Sequence, residues 1–382
     1  MRKLKIALIG PTYPFRGGIS HYTTLLYEHL KNRHAVRFFS FKRQYPKWLF
    51  PGKSDIDPSQ AHISVPGAER VIDSVNPATW LKTAREIIKY DPDAVVLPWW
   101  VSFWAPQFMV MAGLVKRYSR ARIVFVCHNV VAHESTLLDK IATRMVLGLG
   151  DGFLVHSDED RQNLLQMLPE AKVCKRFHPT YDVFQFAGFD RDECRRQLGI
   201  SGNVLLFFGF VREYKGLKYL LAAMPEILQQ VPVTLLVVGE FWKDKAGYLD
   251  VIRELGIGDN VTIVDEYIPN EAVGKYFAAA DLVVQPYVSA TGSGVVQVAY
   301  GFERPVVATD VGCLPEIVEH GRTGYVVPPA DSQAIADAVV SFFKEDRAGE
   351  FQDNIQAGQY RFSWDNLVVG IEEMVQGVRC RV

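Results

Sequence analysis

Several common catalytic signatures are missing from this chain. It has no Walker sequence and no G-x-S-x-G, so a P-loop NTPase or an esterase finds no support. It also has no H-E-x-x-H. The five cysteines, Cys127, Cys174, Cys194, Cys313 and Cys380, are odd in number, scattered, and without metal-ligand or redox spacing. They read as reduced thiols in the cytosol. Short-period repeats, low-complexity tracts and coiled-coil heptads are absent. The longest apolar stretch, residues 94–115, is about as long as a membrane span but is interrupted by Pro98, Pro106 and Gln107, which favours a buried strand, loop and helix. The opening MRKLKIALIG leads into a glycine-rich segment with no small-residue cleavage pattern, so it reads as a first core strand and not as a signal peptide.

Net charge is close to nil, at −1, but it is unevenly spread. Residues 1–150 hold 21 Lys/Arg against 10 Asp/Glu, and residues 151–382 hold 21 against 33. The first part should therefore face something anionic, such as a membrane surface or a phosphorylated acceptor, and no nucleic-acid partner is expected. At 382 residues with an ordinary apolar fraction, the chain exceeds one hydrophobic core, and two domains are expected.

Continuous apolar runs occur at 5–10, 35–40, 94–97, 123–127 and 152–156. They recur at 204–209, 234–239, 261–264, 282–286, 305–309 and 324–327, with helical patterns between. Runs that are apolar throughout mark strands buried on both faces, hence parallel sheets. The expected fold class is α/β, with two doubly wound Rossmann-like domains facing across a cleft. The boundary falls in the connector 176–190, giving domains over 1–180 and 185–362. Helical stretches follow at 332–343 and 363–378, and residues 363–382 are expected to cross back to the N-terminal domain.

Ligands of open parallel sheets bind at the carboxyl ends of the strands. In the first such loop, PTYPFRGGISHY, Gly17 and Gly18 precede a helix at 19–30, whose free N–H groups suit an anion, although a turn glycine is the plainer reading. Arg212 and Lys215 sit in the loop after 204–209, where they could neutralise a departing diphosphate or be ordinary surface charges. Thr291, Gly292, Ser293 and Gly294 form a small-residue turn at another helix start. His128 ends the strand 123–127 and His133 follows five residues on, a spacing that suits no zinc site. Asp91 and Asp93 form a D-x-D, but they precede their strand and so lie at the wrong edge; Asp55 and Asp57 are a weaker carboxylate pair. No metal site is expected.

These residues together resemble the retaining nucleotide-sugar glycosyltransferases of family four, glycosyltransferases group 1, which have the GT-B fold. The resemblance covers the whole chain and is strongest over 204–329. It is carried by PFRGGISHY, His128, Arg212 and Lys215 before Gly216, YIPNEAVGKYFAAADLVVQPY, and YGFERPVVATDVGCLPEIVEHGRTGYVVPP. It implies that Gly17 and Gly18 lie by the donor's phosphates and sugar, and that His128 hydrogen-bonds that sugar. Arg212 and Lys215 would grip the diphosphate, and backbone near Tyr267 and Ile268 would receive the base. It further implies retention of anomeric configuration, with the donor's own phosphate oxygen taking the acceptor proton. The family's Glu-x7-Glu element is altered here: Ser289 stands near the first glutamate position and Gln297 at the second.

The expected function is transfer of a sugar from a nucleotide diphosphate sugar to a glycan or lipid-linked acceptor in polysaccharide or lipid-linked glycan assembly, without a cofactor or metal. A non-catalytic nucleotide-sugar-binding partner and a sugar-nucleotide epimerase are the alternatives. The segment 37–53 mixes Arg37, Lys42, Arg43, Lys47 and Lys53 with Phe41, Tyr45, Trp48 and Phe50, which suits a peripheral contact with anionic lipid on the cytoplasmic face or an acceptor loop.

Overall fold

A computed structural model describes residues 2–46, 55–131, 136–184, 188–378 and 380. They divide into two compact units. The first holds residues up to Pro58, His62–Phe177 and the chain from Ser363 onward; the second holds Ser59–Ala61 and His178–Phe362.

In the first unit the strands are β1 (Lys5–Ile9), β2 (Ala35–Arg43), β3 (Ala68–Asp73), β4 (Ala94–Trp99), β5 (Arg122–Cys127), β6 (Gly152–Val155) and β7 (Val173–Lys175). They form one parallel sheet in the order β3-β2-β1-β4-β5-β6-β7. The helices between them are α1 (Gly18–Arg33), α2 (Pro77–Tyr90), α3 (Ala105–Tyr118), α4 (Leu137–Leu147) and α5 (Asp158–Met167). Every residue of β4 is buried, as a central parallel strand covered on both faces requires. Helix starts follow local chemistry: the Asn76 side chain accepts from Ala78 N–H with Pro77 at the first helical position, and Thr136 and Asp139 cap α4 reciprocally.

The second unit contains α6 (Arg191–Leu198), β8 (Asn203–Phe208), α7 (Leu217–Gln230), β9 (Val233–Val238), α8 (Lys245–Glu254), β10 (Val261–Val264) and α9 (Asn270–Ala279). It continues with β11 (Leu282–Gln285), α10 (Gly294–Gly301), β12 (Val306–Thr309), α11 (Leu314–Ile317), β13 (Gly324–Val327), α12 (Ser332–Lys344) and α13 (Ala348–Ala357). Its sheet is also parallel, in the order β10-β9-β8-β11-β12-β13. Both units are doubly wound.

The last helix, α14 (Trp364–Gln376), belongs to the first unit. It buries Trp364, Leu367, Val368, Ile371 and Met374. Its buried Glu372 lies 2.9 Å from His34 Nε2 and 3.2 Å from Arg33, and Glu373 pairs with Arg176 at 2.9 Å. Leu4 N–H donates to His34 Nδ1, so the ring proton sits on Nε2 facing Glu372. Burial holds the His34 pKa below its usual value, against the opposing pull of Glu372.

One expectation is corrected here. Cys174, in β7, and Cys380 are disulfide-bonded, with Cα atoms 5.2 Å apart; Cys127, Cys194 and Cys313 are free and buried. The two partners lie 206 residues apart, and only the return of α14 to the sheet brings them together, which linear spacing does not reveal. Three elements also went unread in the sequence. β3 and β7 are edge strands whose polar residues break the apolar run, and α13 buries only Phe351 and Ile355.

Candidate functional site

Sheet order reverses between β8 and β11 in the second unit, and between β1 and β4 in the first. A crevice at the carboxyl ends of such strands is where doubly wound folds take ligands. In the second unit the loops after β8 and β11 therefore flank the switch point. A hydrogen-bonded line joins them. Lys215 Nζ donates to Tyr287 Oη at 2.9 Å, Tyr287 Oη lies 3.2 Å from Ser293 Oγ, and Ser293 Oγ donates to Gln285 Oε1 at 3.2 Å. Ser293 is also the N-cap of α10 and accepts from Val295 N–H. Thr309 Oγ1, at the end of β12, donates to the Tyr287 carbonyl at 2.6 Å and fixes the loop from the other side.

Two glycines make this approach possible. Gly216 has φ +69°, and a Cβ there would stand 1.9 Å from the Pro286 carbonyl oxygen, so no other residue lets the two loops touch. Gly209 has φ +103°, and a Cβ there would meet Lys215 Nζ at 3.1 Å.

The two predicted cations are placed differently. Lys215 belongs to the line that reaches α10. The exposed Arg212 lies over Trp242, 4.4 Å from its ring centre, and 5.2 Å from that of Tyr214. Such stacking orients a guanidinium while leaving its N–H edge open. Trp242 lies in the loop after β9, which is tied to the next loop by Phe241 N–H donating to Asp265 at 2.9 Å. Beyond Asp265 come Tyr267 and the buried Ile268, ahead of α9.

Helix α10 starts with no acidic residue in its first turn, so its N-terminal dipole is not already answered by a carboxylate. Gln297, one turn in, is fully buried, and neither its Oε1 nor its Nε2 has a hydrogen-bond partner. Buried polar atoms are rarely left so, and an amide can donate and accept at once. Ser289 is exposed on the loop, Thr291 is half-buried, and Gly292 approaches Cys313 so closely that a Cβ would sit 3.0 Å from its sulfur.

In the first unit, Gly17 is the N-cap of α1 with φ +111°, and Gly18 is its first residue. Nothing stands within 4 Å of a Cβ built on either, and α1 too lacks an acidic first turn. His128 follows β5, its backbone N–H donating to the Trp99 carbonyl at 2.8 Å. Its ring meets Tyr22 of α1 edge-on, with centres 4.3 Å apart, and lies 5.1 Å from that of His156. Asp160, buried in α5, accepts from Val130 N–H at 2.7 Å and so anchors the loop carrying His128. Burial, reinforced by Asp160, pushes the neighbouring Cys127 thiol well up, which makes it a poor nucleophile. His133 lies outside the described residues.

Three of these four candidate carboxylates have structural places. Asp91 caps α2 in a left-handed conformation, and Asp93 accepts from Lys5 N–H and Arg2 at the amino edge. Asp57 is buried 3.7 Å from His21. Among the described residues, the one cluster of three potential metal ligands is Cys174, Glu373 and Cys380, where the two sulfurs are bonded to each other.

The proposed lipid segment needs correction over its described part. Phe41 is buried against Trp104, and Tyr45 accepts a hydrogen bond from Trp100 Nε1. Arg37 and Arg43 are held in two-point pairs by Glu69 and Asp73. These side chains serve the edge of the sheet. Lys47, Trp48, Phe50 and Lys53 lie outside the described residues.

Tyr287 and Gln285 of the hydrogen-bonded line, and Trp242 under Arg212, are not expected from the sequence. The signal available was position: each lies at or just past the carboxyl end of a strand in the second unit.

Residues 202–345 match the family model described as glycosyl transferases group 1. A D-inositol 3-phosphate glycosyltransferase of Corynebacterium jeikeium is 30% identical over 255 residues, covering 62% of this chain and 60% of that protein. The chain spans about half the length of the curated relatives it matches. Among solved structures, Anabaena HepE in complex with UDP superposes with a TM-score of 0.72 at 21% identity over 98% of this chain and 100% of that one. Sucrose-phosphate synthase of Thermosynechococcus elongatus gives the same TM-score at 21% identity, covering 98% and 99%. The second unit thus matches the group 1 glycosyltransferase model over residues 202–345, and the two doubly wound sheets have the GT-B fold of these solved structures.

Proposed function

We propose that this protein transfers a sugar from a nucleoside diphosphate donor to an acceptor hydroxyl, in polysaccharide or lipid-linked glycan assembly. The observation that carries the reading is the line Lys215–Tyr287–Ser293–Gln285 at the acid-free start of α10, with the orphaned Gln297 amide one turn behind it. HepE, whose structures are described as complexes with UDP and UDP-glucose, supports a diphosphate donor.

The chemistry follows from charge. As the bond from the sugar's anomeric carbon to the diphosphate breaks, negative charge gathers on the departing oxygens. The Lys215 ammonium and the backbone N–H groups of α10 stabilise it there, with Arg212 held at the rim by Trp242. The acceptor oxygen bonds to the same carbon on the same face, and its proton goes to a departing phosphate oxygen. No protein nucleophile, cofactor or divalent metal is required by this scheme, and anomeric configuration is retained. Gly17, Gly18 and His128 keep the roles at the donor's phosphates and sugar that the family resemblance assigns. We place the enzyme in the cytoplasm, with its basic first unit in peripheral contact with an anionic membrane.

Nucleoside diphosphate release from a panel of sugar nucleotides, measured with a panel of acceptors and with EDTA present, tests the reading. Acceptor-dependent release in EDTA, giving a product with the donor's anomeric configuration by NMR, is expected. Loss of release in EDTA with rescue by magnesium would refute metal independence. Binding of sugar nucleotides without release under any condition would instead establish a non-catalytic partner, a reading favoured only by the missing carboxylate at exposed Ser289.

A further inference from the structure

Helix α4 presents an apolar face to solvent that the fold does not use. Leu137 is 74% exposed, Leu138 77%, Ile141 48% and Met145 55%. At 100° per residue these four side chains span an arc of about 100°. The helix meets the rest of its unit through Thr143, Val146 and Leu147, which are buried. Exposed Lys140 and Arg144 border the apolar arc on one flank. The single carboxylate of α4, Asp139, points to the cap, where it accepts from Ser102 Oγ at 2.5 Å and from Thr136. The outward face is therefore apolar and cationic.

We propose that α4 is the surface by which the first unit lies on an anionic lipid bilayer. The inference rests on the membrane contact proposed above, and not on the donor chemistry. Eleven helical residues reach about 16 Å, half of a hydrocarbon core, so the helix lies in the interface and does not cross it. Among the described residues no helix is long and apolar enough to cross a membrane. Charge selects lipid over a second copy of the chain: a two-fold contact through α4 would set Lys140 and Arg144 against their own copies, with no carboxylate among the described residues of that face. An anionic leaflet answers both cations. The same field discriminates between the units. The first carries 27 Lys/Arg against 18 Asp/Glu and is drawn to such a surface, whereas the second, with 15 against 25, is repelled.

Flotation with vesicles of phosphatidylcholine and phosphatidylglycerol, compared with phosphatidylcholine alone, is the test. The full chain should float with the anionic vesicles, and less so at high salt. The double variant Leu138→Glu/Ile141→Glu should lose about tenfold or more in partitioning while keeping its circular dichroism spectrum. Lys140→Ala/Arg144→Ala should weaken binding and flatten its salt dependence. If the glutamate pair disturbs folding, Leu138→Ser/Ile141→Ser carries the same expectation. Flotation of the double variant equal to that of the unaltered chain would overturn the role of α4 while leaving a membrane contact elsewhere in place. Failure of the unaltered chain to float at low salt would overturn both. A dimer on gel filtration that the double variant converts to monomer would assign the face to self-association instead.

Discussion

Helices α5 and α10 start at equivalent places, each just past the carboxyl end of a strand in a parallel sheet, yet they treat their N-terminal charge in opposite ways. α5 follows β6 with Ser157 as its cap and Asp158, Glu159 and Asp160 in its first turn. The partial positive charge of the helix end is met from within, and Asp160 is further committed to Val130 N–H. α10 follows β11 with Ser293 as its cap, Gly294 as its first residue and no carboxylate in its first turn. Its own neutral hydroxyl satisfies one N–H, and the rest of the field is left for something outside the chain. In a doubly wound fold many helices start at the active edge. Those with acids in the first turn are scaffolding, and those without are candidates for an anion.

The comparison can be broken at several points. The largest effect is expected from Lys215→Ala, which removes an ammonium joined through Tyr287 to the α10 start. Turnover should fall by roughly a hundredfold or more at an unchanged melting temperature, as when an oxyanion donor is lost. Near-normal turnover would remove Lys215 from the site. Gly294→Asp makes α10 resemble α5 by adding a carboxylate to its first turn. Nucleoside diphosphate affinity by calorimetry should drop by about tenfold, from repulsion at the helix end. Asp158→Asn with Glu159→Gln, the reverse change in α5, should leave that affinity untouched.

A smaller effect sharpens the role of the buried amide. Gln297→Leu keeps the volume and discards two unsatisfied polar atoms, so the ligand-free protein should be more stable by about 1 kcal/mol. Donor KM should rise about fivefold with little change in kcat, the signature of lost uniform binding. Both shifts together identify a ligand-facing residue; stabilisation with an unchanged KM would make it a packing defect.

The smallest concerns pH. Hydrogen bonds from Ser102 and then Thr136 lower the Asp139 carboxyl to about 2, so the α4 cap contributes stability above the ordinary carboxylate pKa and loses it as pH falls towards 2. The Ser293 cap of α10 does not titrate. The stability gap between the natural chain and Asp139→Asn, read by denaturant titration, should be largest above about pH 4 and shrink below it. A gap independent of pH would deny the cap its charge.

The sequence makes the central strands and the carboxyl edge of each sheet legible, because burial on both faces leaves continuous apolar runs and because the position of a loop follows from strand direction. Lys215 and Ser293 are singled out by that reasoning, and Gln297 by the family resemblance. Gln285 and Tyr287 do not, since they sit where a strand run ends and look like part of it. The outward face of α4 was hidden for a related reason: Leu137, Leu138, Ile141 and Met145 have the composition of a core stripe, and only burial tells which stripe faces inward. The turning inward of Phe41 and Tyr45 is the same ambiguity with the opposite outcome.

The return of α14 has a consequence for biosynthesis. A ribosome that has delivered residues up to Phe177 has made every strand of the first sheet but not the helix that covers one of its faces with Trp364, Leu367 and Ile371. Until α14 emerges, that apolar surface and the polar pockets for Glu372 and Glu373 at His34, Arg33 and Arg176 have no cover. The unit translated first is thus the unit finished last. A fragment ending at residue 177 should be insoluble alone and recoverable by supplying residues 363–382 in trans.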